Sequence, residues 1–213
     1  MKKALICFIL PVFMLLSLVG CKQVGYESRI SDKRHDLFVA ESDEFSLTLS
    51  CISRETPYAL DGVCGEISDL IEVVLVPKGS SADEYSITIL SENNLGGTMS
   101  YRSAKGDYFF SHGVESFPQS TVSLRIKWGD ETKDLSATSV KNENTLTAEA
   151  ALECAVAYEK AHEEQDEELQ GEFHVRLLRR DKNYYYVGLV TADKTVALLL
   201  DAETGDVLAR RVG

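Results

Sequence analysis

Residues 45–51 read Phe-Ser-Leu-Thr-Leu-Ser-Cys, a strict alternation of apolar and polar side chains. Because successive side chains of a β-strand point to opposite faces of a sheet, this period of two predicts a half-buried strand. The same alternation occurs at residues 85–89 and 122–128. Shorter apolar segments bounded by turn-forming residues extend the pattern, at 70–77, 98–102, 108–112 and 135–140.

About seven or eight short strands within roughly 100 residues are typical of a β-sandwich. We therefore predict that residues 37–142 form an antiparallel β-sandwich with an immunoglobulin-like architecture. The widely spaced Cys, Trp and Cys of true immunoglobulin domains are missing from this segment. The sequence thus predicts the architecture and not membership of that family.

A different pattern begins near residue 143. Apolar side chains recur there at helical spacing, and Thr147 precedes them in the position of an N-cap. The acidic run at 163–168 would be repelled by the negative end of a helix, so we expect the helix to stop close to His162. Strands are predicted after it at 172–179, 184–190, 195–200 and 206–212. Residues 143–213 are therefore expected to form a small α+β domain of one helix on an antiparallel sheet of about three or four strands, in a chain that is mainly β.

The N-terminal residues have the order of a secretory signal. Two lysines are followed by an apolar run at residues 4–16 and by small residues before Cys21. An uncleaved transmembrane helix is the alternative, but the run is shorter than the roughly 20 residues that cross a bilayer core and is interrupted by Pro11. We predict that residues 1–20 are a signal peptide.

The segment Leu18-Val19-Gly20-Cys21 resembles the lipobox of bacterial lipoprotein precursors. In that family the signal peptide is cut before the cysteine, and the thiol receives a diacylglycerol. The resemblance implies that the lipid on Cys21 holds the protein on the bacterial cell membrane, facing the extracytoplasmic side. Residues 21–36 are polar and lack an apolar period, so we predict a flexible tether between the lipid and the folded part.

The charge of the chain restricts its partners. The full chain carries −12, and removal of residues 1–20 takes away two lysines and no acid, which leaves −14. Nucleic acids and anionic lipid surfaces both attract basic proteins. The acidic balance argues against either as the partner of the folded part. The expected location at the cell envelope makes an envelope protein or a cell-wall component the candidate partner.

The last third of the chain carries a second resemblance. Residues 200–208 read Leu-Asp-Ala-Glu-Thr-Gly-Asp-Val-Leu, and the predicted helix opens with Thr-Ala-Glu-Ala-Ala at 147–151. Together with an aromatic-rich strand between them, these segments resemble the PepSY domain of exported bacterial proteins, over about residues 145–213. The resemblance implies restraint of a peptidase or binding at the cell envelope, and it supplies no catalytic residues. The acidic run at 163–168 departs from the compact pattern of that family.

Cysteines and histidines are the next candidates for chemistry. Cys51 and Cys64 are close enough in sequence to form a disulfide after export, and the alternative is two buried thiols, because Cys51 lies on the apolar face of its strand. Cys154 lies on the apolar stripe of the helix and is expected in the core. The four histidines are far apart and neither His-x-x-x-His nor Cys-x-x-Cys occurs, so no metal or cofactor is predicted. The acidic run at 163–168 lacks the pattern of a calcium loop.

The triplet Tyr184-Tyr185-Tyr186 is the candidate partner surface. Neighbouring rings in a strand point to opposite faces, so one face packs on the helix while the other presents tyrosine. The alternative is that the sandwich domain covers the outer rings.

These patterns predict a protein that binds and does not catalyse a reaction. No Gly-x-Ser-x-Gly motif, phosphate loop or dinucleotide fingerprint occurs, so no catalytic residue is predicted. The main hypothesis is a lipid-anchored binding or scaffold module of the cell envelope. The alternatives are an inhibitor of a secreted or surface peptidase and, third, an unrecognised hydrolase, which a Ser/His pair or converging carboxylates in the structure would favour.

Overall fold

The segment Ile30–Glu41, strand β1, lies at the centre of the fold. The computed structural model describes residues 25–79, 84–91, 95–119, 121–162 and 169–213. This part of the chain contains thirteen strands, one α-helix and a short 3-10 turn at Tyr26–Arg29. The remaining elements are β2 (Phe45–Glu55), β3 (Ile67–Pro77), β4 (Ser86–Ile89), β5 (Leu95–Thr98), β6 (Ser100–Arg102), β7 (Asp107–Gly113), β8 (Val122–Trp128), β9 (Glu131–Ser139), α1 (Ala148–His162), β10 (Glu172–Arg179), β11 (Asn183–Val190), β12 (Thr195–Asp201) and β13 (Val207–Val212). The prediction of a mainly β protein is confirmed.

The strands form a sheet that folds over on itself. Its main path runs β13-β12-β11-β10-β1-β2-β3-β7-β6, and the strands β5-β4-β8-β9 branch from it because β9 also pairs with β1. All neighbours are antiparallel except β1 and β10, which run parallel. Residues 30–34 of β1 pair with β10, whereas Phe38 and Val39 pair with β9. Strand β1 therefore joins the C-terminal strands, through β10, to the strands β2 and β9.

Two apolar clusters fill the interior. The first contains side chains from β1, β2, β3 and β7 together with those from β4, β8 and β9. The second lies between α1 and strands β10, β11 and β12. Alternate residues of β10, namely Phe173, Val175 and Leu177, belong to this second cluster. His174 and Arg176 consequently point to the opposite face of the sheet.

The local predictions for the C-terminal third are confirmed. Helix α1 starts directly after Thr147, whose Oγ1 accepts a hydrogen bond from the Ala150 backbone N–H at 3.1 Å, and it ends at His162. Strand β10 has the predicted bounds, and β11, β12 and β13 differ from the predicted strands by one residue at one end. Gly205 adopts φ +78° in the turn before β13, where its Cβ-free backbone lies close to the Cys154 side chain.

The prediction of a tether that extends to residue 36 is wrong for residues 26–36. Arg29 donates from Nε to the Gly171 carbonyl at 2.7 Å and from Nη1 to the Leu169 carbonyl at 2.6 Å. Residues 30–36 form the first half of β1. This stretch lacks an apolar period because several of its polar side chains, among them Asp32 and Lys33, form ion pairs with distant residues, which a periodicity search does not detect.

Residues 1–20, Cys21 and the acidic run 163–168 lie outside the described residues. The signal peptide, the lipid on Cys21 and the reading of the acidic run therefore stay predictions. Within the described ranges, no helix has the length and apolar character needed to cross a membrane.

Candidate binding site

The sheet face opposite α1 carries three arginines from adjacent strands. In the parallel pairing of β1 with β10, Arg34 lies beside Arg176 and Asp32 lies beside His174. In the antiparallel pairing of β1 with β2, Asp32 is opposite Arg54. We name Arg34, Arg54 and Arg176 the arginine cluster.

Asp32 holds two members of the cluster in place. Its side chain is 1% exposed, its Oδ2 accepts from Arg54 Nε at 2.7 Å, and its Oδ1 accepts from Arg176 Nε at 2.9 Å. Burial by itself raises the pKa of Asp32, but the hydrogen bonds and charges of Arg176 and Arg54 outweigh it and lower the pKa below the usual value. Arg54 also donates from Nη1 to Glu72 Oε1 at 2.9 Å. One buried carboxylate thus ties β10, β1 and β2 together.

Arg34 is the least satisfied member of the cluster. Its Nη1 donates to the Leu177 carbonyl at 3.1 Å, while its buried Nε has no hydrogen-bond partner in the structure. Burial lowers the pKa of Arg34, and the charges of Arg176 and Arg54 act in the same direction. Three guanidinium groups here face two carboxylates, Asp32 and Glu72, so the cluster holds an excess of positive charge in a chain whose net charge is −12.

Tyr58 extends the site from the loop between β2 and β3. Its Oη lies 3.4 Å from His174 Nε2 and accepts from Arg176 Nη2 at 3.4 Å. The Arg54 guanidinium lies 5.6 Å from the Tyr58 ring centroid, a distance typical of a cation–π contact. Tyr58 is 43% exposed, and the same loop also exposes Leu60 and Val63. The arginine cluster is therefore bordered by an accessible aromatic side chain.

The tyrosine triplet divides between the two faces of the sheet. Tyr185 is fully buried and donates from Oη to the Leu146 carbonyl at 2.8 Å, while Tyr184 and Tyr186 are half-buried on the opposite face. The Arg176 guanidinium lies 5.8 Å from the Tyr186 ring centroid. Gly188 leaves space for this tyrosine, because a Cβ at Gly188 would meet Tyr186 Oη at 2.7 Å. Tyr186 thus borders the arginine cluster, and Tyr185 belongs to the core.

No protein-family model, curated protein or solved structure matches this chain.

The predicted disulfide is absent. Cys51 lies in the first apolar cluster, whereas Cys64 is a free thiol whose Sγ lies 3.5 Å from the Ile30 carbonyl oxygen. The Gly65 N–H donates to Glu55 Oε1 at 2.8 Å, which places this end of the loop beside Glu55. Four residues of extended strand separate Glu55 from Cys51, about 13 Å, and a disulfide requires Cα atoms within about 7 Å. Cys154 lies against the second cluster, as expected.

A Ser/His pair exists, but its hydrogen bonds do not have the catalytic order. Ser53 Oγ lies 2.6 Å from His35 Nε2 and donates its only proton to Asp69 Oδ1 at 2.5 Å. His35 Nε2 must therefore act as the donor in its contact with Ser53. A nucleophilic serine needs the reverse arrangement, in which the imidazole accepts the hydroxyl proton. The hydrogen-bonded series His35–Ser53–Asp69 is therefore a structural link between β1, β2 and β3.

A second buried acid lies at the edge of the site. Glu172 is fully buried, and neither of its carboxylate oxygens has a hydrogen-bond partner. Its Oε1 lies 3.7 Å from His174 Nε2. Burial raises the pKa of Glu172, and the charges of Glu55 and Asp61 raise it further. In the part of the chain that is described, no group of His, Cys, Asp and Glu side chains is arranged to hold a metal ion.

Sequence reasoning did not identify the arginine cluster. Arg176 alternates with apolar residues, as expected for the polar face of an ordinary strand, and Arg34 lies in a stretch predicted as a tether. The only sequence signal for the cluster is that charged residues alternate with apolar residues in two strands, which places the charges on the face opposite the apolar one. The partner strand of β1 is about 140 residues away in sequence, so the pattern did not reveal that these charges meet.

Proposed function

We propose that this protein is a lipid-anchored, extracytoplasmic module of the bacterial cell envelope that binds a partner and does not catalyse a reaction. The observation that carries the proposal is the arginine cluster with its tyrosine border, which is partly exposed: Arg54 and Arg176 expose 26% and 30% of their side chains. Charged and aromatic side chains that are organised but still accessible are typical of binding surfaces. The resemblance of residues 18–21 to a lipobox supports the location, and the Ser53–Asp69 hydrogen bond supports binding without turnover.

The anchor is tested with Cys21→Ala. This variant should lose labelling by radioactive fatty acid and should be released or stall as the precursor, because the proposed anchor attaches the lipid to this thiol. Cys64→Ala is the matched control and should keep both the label and the membrane association. A parent protein without fatty-acid label, whose membrane attachment is unchanged by Cys21→Ala, would favour an uncleaved helix and contradict the anchor.

The binding face is tested by capture from envelope extracts with the processed protein as bait. Tyr58→Ala should reduce the captured partner at least several-fold, because Tyr58 forms the exposed border of the arginine cluster. Tyr101→Ala is the control, since Tyr101 is 56% exposed on β6, away from this face. Equal capture by the two variants would contradict the proposed face.

Inhibition of a surface peptidase is a second candidate function. One helix packed on an antiparallel meander in residues 148–212 is the arrangement that the PepSY resemblance implies, and this favours the candidate. Strand β13 lies at the sheet edge and exposes Leu208 and Val212, a suitable edge for an extended peptide. Addition of the protein should lower envelope peptidase activity, and Leu208→Asp should relieve this effect while Val76→Asp, also at an exposed strand position, should not. Unchanged peptidase activity would reject this function.

We also propose that residues 37–142 form an immunoglobulin-like sandwich and that residues 143–213 form a second domain. The separate apolar clusters support this division. Strand β1 pairs with strands of both parts, so the proposed domains share one structural element. An experimental structure tests the proposal. One sheet closed into a barrel in residues 37–142, instead of two packed sheets, would overturn it.

A further inference from the structure

We propose that Arg34 is the centre of a binding site for a single anionic group, a carboxylate or a phosphate, attached to an apolar or planar body. The inference depends on the proposed binding role of this face and specifies the chemistry of its ligand. It combines the charge of the cluster, the hydrogen bonds that Arg34 does not make and the side chains around it.

The charge of the cluster calls for an additional anion. Asp32 and Glu72 accept hydrogen bonds from Arg54 and Arg176, and together they balance two of the three guanidinium groups. The third positive charge, that of Arg34, is half-buried and forms no ion pair with a carboxylate of the described residues. Asp32 and Glu72 attract it from a distance while Arg176 and Arg54 repel it, so an anion in direct contact would stabilise it. A ligand with one negative charge would neutralise this excess.

Hydrogen bonding leads to the same conclusion. A guanidinium has five N–H donors, and Asp32 uses those of Arg54 and Arg176 that face it. Arg34 makes one hydrogen bond, to a backbone carbonyl, and its Nε has no partner. Carboxylates and phosphates accept paired N–H bonds from such a fork, which makes them the matching ligand groups.

The body of the ligand is defined by the row of residues that the strand register places beside Arg34. On one side, Arg176 is followed by Tyr186 and then by Leu199, and on the other Ile52 is followed by Leu70. Ile52 is fully buried, while Tyr186, Leu199 and Leu70 remain half-buried. A charged centre between partly exposed apolar side chains fits an amphiphilic or aromatic acid better than a bare ion.

The test uses the processed full protein and four defined probes: benzoate, phenyl phosphate, inorganic phosphate and neutral benzamide. Binding is measured by calorimetry or by NMR titration at constant ionic strength. Benzoate or phenyl phosphate should bind at least about tenfold more tightly than inorganic phosphate, and benzamide should not bind. The ranking of benzoate and phenyl phosphate identifies the anionic group. Binding of benzamide as tight as that of benzoate would overturn the proposal.

Two substitutions move affinity in opposite directions. Arg34→Gln should weaken benzoate and phenyl phosphate binding about tenfold or more, whereas Arg125→Gln, which removes an exposed ion pair with Asp134 on β8 and β9, should leave it unchanged. Glu72→Gln removes a negative charge from the cluster and should tighten binding about threefold, a gain that loss of folding cannot imitate. Unchanged affinity in both Arg34→Gln and Glu72→Gln would overturn the proposal and leave the cluster a structural clamp. If the anions fail to bind while Tyr58-dependent capture persists, the ligand chemistry is wrong and the binding role stands.

Discussion

At the level of single residues, two buried titratable groups, Glu159 and His174, have environments with consequences that can be measured. Glu159 on α1 is 3% exposed and forms a bidentate ion pair with Arg210 on β13. The distances are 2.9 Å from Nε to Oε1 and 3.0 Å from Nη2 to Oε2. His174, which is also buried, is kept neutral by its surroundings. Both residues can be tested through stability, because a buried charge without its partner is costly.

Substitution of Arg210 by Met should destabilise the protein by about 2 to 4 kcal/mol, since Glu159 would remain buried without its partner. The double variant Arg210→Met/Glu159→Gln should recover part of this loss, because it removes the buried charge as well. Chemical denaturation measures both free energies of unfolding. A single variant within about 0.5 kcal/mol of the parent would contradict a functional ion pair.

Acidification should destabilise the protein through His174. Burial lowers the pKa of His174 from 6.5 to about 4, and the charges of Arg176 and Arg54 also lower it. Between these values the unfolded chain binds a proton at His174 that the folded protein does not. The contribution of neutral His174 to stability is therefore fully present above pH 6.5 and decreases as the pH falls toward 4. The loss should reach roughly 2 to 3 kcal/mol.

The control for this pH dependence is His174→Gln, whose free energy of unfolding should fall less over the same pH range. Glu172 has a raised pKa and acts in the opposite direction, and comparison of two proteins that both retain Glu172 removes its contribution. Parallel pH profiles for the parent and the variant would show that His174 is not the group responsible.

At the scale of the element, α1 is defined by its ends. The Thr147 hydroxyl satisfies one N–H of the first turn, and Glu149 lies in the first turn where the helix dipole favours an acid. Glu149 also pairs with Lys33 of β1 at 3.0 Å. The helix start is thus fixed both by a local cap and by a contact with the central strand.

Thr147→Ala should lower the free energy of unfolding by about 1 kcal/mol, because the Ala150 N–H loses its side-chain acceptor. Thr147→Ser keeps the hydroxyl and should retain most of the stability. Thermal unfolding followed by circular dichroism at 222 nm distinguishes them. Equal losses in the two variants would assign the role of Thr147 to its methyl group instead of its hydroxyl.

Over the whole molecule, β1 makes the two apolar clusters depend on each other. On one edge its residues 30–34 pair with β10 and Phe38 and Val39 pair with β9, while on the other edge residues 32–41 pair with β2. Asp32 adds an ion pair with Arg176 on β10 and another with Arg54 on β2. Loss of β1 from either side would expose both clusters, so we expect them to unfold together.

This coupling predicts one unfolding transition seen by two probes. Trp128, the single tryptophan, packs on the first cluster, and α1 provides the helical signal of the second. Tryptophan fluorescence and circular dichroism at 222 nm should give the same midpoint. Two separated midpoints would show that the clusters unfold independently.

Asp32→Asn should shift both signals together and lower the free energy of unfolding by about 2 to 4 kcal/mol, because two half-buried arginines lose their shared counter-charge. Asp134→Asn, in the exposed pair with Arg125, is the control and should cost less than about 1 kcal/mol. A similar small cost for both variants would contradict the structural role of Asp32.

Sequence by itself determined the elements whose signals are local. The cap at Thr147 and the strands that follow α1 are set by neighbours a few residues apart, so periodicity and turn residues predict them. The same reasoning failed for residues 30–36, since their polar side chains find partners far along the chain. A stretch without an apolar period resembles a tether when those partners are unknown.

Only the tertiary structure decided where the candidate site lies. The parallel pairing of β1 with β10 brings Arg34 beside Arg176, and neither strand differs in sequence from one with an ordinary polar face. The tertiary structure also places Cys51 and Cys64, which are close in sequence, at different points along β2 and its loop. The physical reason is that a period of two fixes the face to which a side chain points, whereas the pairing of strands distant in sequence fixes which side chains it meets.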